Sequence, residues 1–105
     1  MPPNPFERIF KKNLDNDEVF ERTVVKEVSK IINEIGVNQP GLNLAYNKAQ
    51  ELNKERKSPQ HKNYLLNLVQ GIALSSPDLS VELEMNPSLL EDIKRQIAKL
   101  REEED

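Results

Sequence analysis

One histidine and no cysteine among 105 residues leave few routes to chemistry. Thiolate metal sites and disulfides are excluded, and a histidine-rich metal site would need several copies of the chain. Any nucleophile–histidine pair would also have to use His61. That residue stands in Gln60-His61-Lys62, beside a cation and in what reads as the first turn of a helix, the setting of a solvated polar side chain. Gly36, Gly41 and Gly71 are isolated from one another, so no glycine-rich loop is present to cradle a phosphate or a dinucleotide.

Carboxylates are plentiful, but Asp15, Asp17, Glu18, Glu82, Glu84, Glu91 and Asp92 fall at helix starts or on polar faces. A catalytic carboxylate needs a cleft that shifts its pKa, and a small bundle has little room for one. Asp15 and Asp17 resemble the opening of a calcium loop, yet the required glycine and closing glutamate are missing. The expectation is a protein that is not an enzyme and carries no cofactor or metal.

Charge is distributed unevenly. Residues 1–13 carry three basic and one acidic side chain, 14–36 three and six, 37–75 five and two, and 76–105 four and nine. The basic stretch concentrates in Lys54, Arg56, Lys57 and Lys62, a candidate anion-binding set for an acidic protein surface or for nucleic-acid phosphate. Glu51 and Glu55 dilute it, no stacking aromatic lies beside it, and the chain is acidic overall with a net charge of −3. Nucleic-acid binding through residues 54–62 is therefore the alternative reading, and a protein partner or self-association the main one.

The elements that must position these groups are marked by proline. Pro40, Pro59, Pro77 and Pro87 separate proline-free stretches, and Ser58, Ser76 and Asn86 precede three of them as candidate N-caps. Between them the apolar spacing is helical. Phe20, Val24, Val28, Ile31 and Ile35 form one stripe, ended by Gly36 as a left-handed cap. Leu42, Ala45, Ala49 and Leu52 form a second. From Tyr64 to Leu74 only Asn67, Gln70 and Gly71 are not apolar, which marks a central helix. Leu90, Ile93, Ile97 and Leu100 make a heptad-like seam near the end.

These patterns predict an all-α fold, a small bundle of four main helices at about 15–35, 40–57, 59–74 and 87–101, with one or two short extra helices. Residues 1–14 form an N-terminal arm with a short helix from Pro5 to Leu14, residues 15–101 the bundle domain, and residues 102–105 an acidic, frayed tail. Asn4-Pro5-Phe6 matches a tripeptide bound by EH domains, and is explained locally as cap, first helical residue and apolar contact. Leu79–Met85 alternates like a half-buried strand, but Ser76-Pro77-Asp78 is a helix start, so a short helix is preferred over an extended segment.

The N-terminus shows no signal-peptide hydrophobic region, and no apolar run approaches the ~20 residues that cross a bilayer. The expected setting is cytoplasmic, with no membrane and no small-molecule substrate. The expected function is a protein–protein interaction or assembly module: a regulator, adaptor or accessory subunit that presents helix faces to a partner or a second copy. Leu65, Leu68, Val69 and Ile72 on the third helix and Leu90, Ile93, Ile97 and Leu100 on the last are its candidate partner-binding residues.

Overall fold

The computed structural model describes residues 13–103, and all regular structure among them is helical. A 3₁₀ turn, Asn13–Asp15, leads into α1 (Asp17–Ile35), α2 (Gln39–Lys54), α3 (Lys62–Leu74), α4 (Leu79–Met85) and α5 (Leu89–Glu102). The short helix expected from Pro5 lies, up to residue 12, outside the described residues, as do Asn4-Pro5-Phe6 and the last two residues of the acidic tail. Among the described residues no helix is long and apolar enough to cross a membrane.

α1 starts where Asn16 accepts hydrogen bonds from the backbone N–H groups of Glu18 (2.9 Å) and Val19 (3.2 Å), satisfying donors that the first turn leaves open. Asp17 and Glu18 add negative charge at the positive end of the helix dipole. The helix ends at Gly36, which donates to the Ile32 carbonyl at 2.8 Å. Its φ of 108° and ψ of 171° are not the left-handed helical cap expected, but a mirror-extended conformation that glycine adopts readily. The difference has a cause in the next helix: a Cβ on Gly41 would lie 2.1 Å from the Gly36 carbonyl oxygen. Asn38 joins the two helices, donating to the Ile35 carbonyl (3.0 Å) and accepting from the Gly41 N–H (2.9 Å).

The proline boundaries are displaced. Pro40 occupies the first turn of α2, as expected. Pro59 does not start α3, because the N–H and C=O of Gln60 are both bound by the Asn53 carboxamide (2.8 and 3.0 Å). The first helical bonds therefore run to the His61 carbonyl, from Tyr64 and Leu65. Pro77 and Pro87 sit in turns closed by Leu79 N–H to Ser76 C=O and Leu89 N–H to Asn86 C=O, and each helix begins two residues later. Neither Ser76 nor Asn86 caps a helix with its side chain; the Asn86 carboxamide instead accepts from the Ser88 hydroxyl.

α2 and α3 each pack against both α1 and α5, so they form the middle of a four-helix arrangement, with α4 resting on α5. The core is built from Phe20, Val24, Val28 and Ile32 of α1, Leu42, Ala45 and Ala49 of α2, Leu65, Leu66, Val69 and Ala73 of α3, and Leu89, Ile93, Ile97 and Leu100 of α5. Two stripe assignments change. Ile32 replaces Ile35 in the core, because the buried ridge of α1 advances by four residues at each step and Val37 closes the end beyond it. Leu89 replaces Leu90 for the same reason, four residues before Ile93. Leu79–Met85 is helical: Leu79 is buried and Leu83 partly so, while Val81 between them is exposed, whereas a strand would place all three on one side.

Candidate functional site

Most of the apolar residues read as partner-binding are used by the chain itself. Leu65, Val69, Ile93, Ile97 and Leu100 are buried between α3, α5 and their neighbours, so they cannot present side chains to a partner of the folded protein. Leu68, Ile72 and Leu90 are half-buried. The physical reason is that four short helices need the seams of α3 and α5 to face each other before any surface is left over.

Among the described residues the most exposed large apolar side chains lie on α4. Val81 is 59% exposed and Met85 85%, and their spacing of four residues puts them on one face. Leu68 and Ile72 instead line, with Val25 of α1, a groove of about 590 Å³ between α1 and α3. Gly71 lies on this groove, and a Cβ there would meet nothing within 4 Å.

The four cations read as one anion-binding set are separated by the fold. Arg56 is buried, its guanidinium stacked 4.6 Å above the Phe20 ring centre. Its Nη2 donates to the Asp15 carbonyl at 3.2 Å and forms an ion pair with Asp17, while Nε and Nη1 have no hydrogen-bond partner among the described residues. The Lys57 N–H donates to the Asp15 carboxylate at 2.6 Å, and Gln60 Nε2 to Asp17 at 3.2 Å. Together these bonds clasp the start of α1 to the α2–α3 loop, and Arg56 is lost to any external anion. The hydrogen bond from Arg56 holds the Asp17 carboxyl below its ordinary range, against some desolvation.

Lys54 and Lys62 converge on a cleft of about 650 Å³ between α2, α3 and α5. The Lys62 ammonium donates to the Glu103 carbonyl at the end of α5. The Lys57 side chain is exposed and is not among the residues lining this cleft. On the far side of α3, Tyr64 donates its hydroxyl to Glu21 of α1. Burial, then the bond to Glu21 and its charge, push the Tyr64 phenol up to about 12.

His61 is exposed at the N-cap of α3 and makes no side-chain cap bond. Among the described residues no three His, Asp or Glu side chains come together as metal ligands. The sequence carried no sign of the Arg56–Asp17 clasp, since its partners are 39 residues apart and both types are common on surfaces. No protein-family model, curated protein or solved structure matches this chain.

Proposed function

We propose that the chain is a non-enzymatic protein–protein interaction or assembly module, acting in the cytoplasm as a regulator, adaptor or accessory subunit. The observation that carries this reading is α4. Val81 and Met85 stand clear of a core that has absorbed the other long apolar seams, and Met85 is almost fully in water. Methionine adapts to irregular partner surfaces, and a clustered apolar face rimmed by polar groups marks contact sites. The rim is acidic: Asp78, Glu82 and Glu84 have no ion-pair partner among the described residues, so they favour a particular orientation and rate of association.

Changing Met85→Asp together with Val81→Ser should leave the melting temperature unaltered and abolish association, read by sedimentation velocity and by co-purification from the native cell. A wild-type chain that stays monomeric and captures the same proteins as the double variant would defeat the reading. The nucleic-acid alternative loses Arg56, the group best shaped to hold a phosphate, to the fold. Absence of a gel shift at low salt and micromolar protein would remove it.

A further inference from the structure

We propose that the cleft between α2, α3 and α5 binds an extended acidic segment of a partner protein, through its peptide groups as well as its carboxylates. This site is separate from α4 and does not rest on the reading above. The cleft follows one face of α2: Asn43, Tyr46, Asn47, Gln50 and Lys54 recur at helical spacing and all line it. From Asn43 to Lys54 the helix rises about 16 Å, the length of roughly five extended residues.

The groups along that face suit a peptide. A carboxamide has a donor and an acceptor in one plane, and pairs with a peptide N–H and C=O as a second peptide group would. The Asn53–Gln60 contact in the same cleft shows this pairing inside the chain, with bonds of 3.0 and 2.8 Å to one backbone unit. Asn43 accepts from Gln96 at 2.8 Å, but the side chains of Asn47 and Gln50 have no hydrogen bond with the described residues.

Charge selects an acidic occupant. Among the described residues, Lys54 and Lys62 are the cations that line the cleft and Glu103 is the one carboxylate, in a chain whose net charge is −3. Lys54 has no ion pair or hydrogen bond with the described residues, and Lys62 binds a neutral carbonyl, so neither charge is neutralised among the described residues. A free phosphate would leave the carboxamide acceptors unused and would favour arginine, which is absent from the described residues lining the cleft.

The test is a ¹⁵N-resolved titration of the full chain, in low salt, with a capped pentapeptide of alternating glutamate and aspartate, and in parallel with inorganic phosphate. Saturable shifts confined to residues 43–54, 60–65 and 100–103 are expected with the peptide alone. Lys54→Gln should weaken binding about tenfold, the loss of one charge-assisted hydrogen bond. Asn47→Ala should weaken it severalfold, and the Met85→Asp, Val81→Ser variant should bind as wild type. Both Lys54 and Asn47 are exposed, and the dispersion of the same spectra reports that the fold is retained. No saturable shift at millimolar peptide would overturn the proposal. So would equal shifts with phosphate, or binding indifferent to Asn47→Ala.

Discussion

Arg56 shows how one side chain can change meaning between a sequence and a fold. In the chain it is the centre of Lys54-Glu55-Arg56-Lys57, a run that looks solvated and cationic. In the structure its guanidinium is packed on Phe20 and paired with Asp17, and two of its nitrogens have no hydrogen-bond partner among the described residues. Buried ion pairs seldom outperform an apolar replacement of similar size, whereas truncation leaves a void. Arg56→Ala should therefore destabilise the fold by about 2–4 kcal/mol, and Arg56→Met by clearly less, in urea unfolding. The pH dependence follows from Asp17. Its carboxyl is depressed in the folded state, so its contribution is fully present above the ordinary value of 3.8 and is lost as pH falls through the lower folded value. Arg56→Met should flatten that part of the acid-unfolding curve. Tyr64 has the opposite sign: a phenol raised from 10 to about 12 stabilises the fold below pH 10, and that contribution is lost as pH rises towards 12. Glu21→Gln should bring its ionisation, read by ultraviolet titration, back towards 10.

At the scale of elements, two glycines predict opposite outcomes. Gly41 faces the Gly36 carbonyl so closely that a methyl group cannot fit, and relief would require the α1–α2 turn to open. Gly41→Ala should cost at least about 2 kcal/mol in thermal or urea unfolding. Gly71 lies in the last turn of α3 with open space where a Cβ would stand, so Gly71→Ala should stabilise by up to about 1 kcal/mol through helix propensity alone. Nothing in the sequence separates these two positions, since both are single glycines within or beside helical stretches. The helices themselves were legible because apolar spacing is local. The caps were not: Ser58, Ser76 and Asn86 cap no helix with their side chains, and Asn16 and Asn38, which do, were not read as caps. Asn16 and Asn38 act within three residues of where they stand, and Pro40 lies in the turn where its ring fits. Pro59 misled because the Asn53 carboxamide, seven residues away, takes both backbone groups of Gln60. The alternation in Leu79–Met85 misled less: its helix start outweighed a strand pattern with no second strand to pair with.

For the whole molecule, the two candidate contact regions face different tests. α4 predicts loss of association on Met85→Asp with Val81→Ser at unchanged stability, whereas Leu66→Ala, at a fully buried site of α3, predicts a loss of about 2–5 kcal/mol. The α2–α3–α5 cleft predicts selective binding of an acidic peptide. The sequence alone determined the all-helical class, the four main helices, the central place of α3 and the absence of thiol chemistry. Those properties rest on composition and on periodicity within one helix, which the chain carries locally. Tertiary structure decided which apolar faces remain for a partner, and sent Arg56 inward while bringing Lys54 and Lys62 to one cleft. α1, α2 and α5 each contribute one main apolar seam, and α3 and α4 carry a second. Whether a seam is spent inside the chain or left for another depends on how the other helices pack, and no local pattern records that.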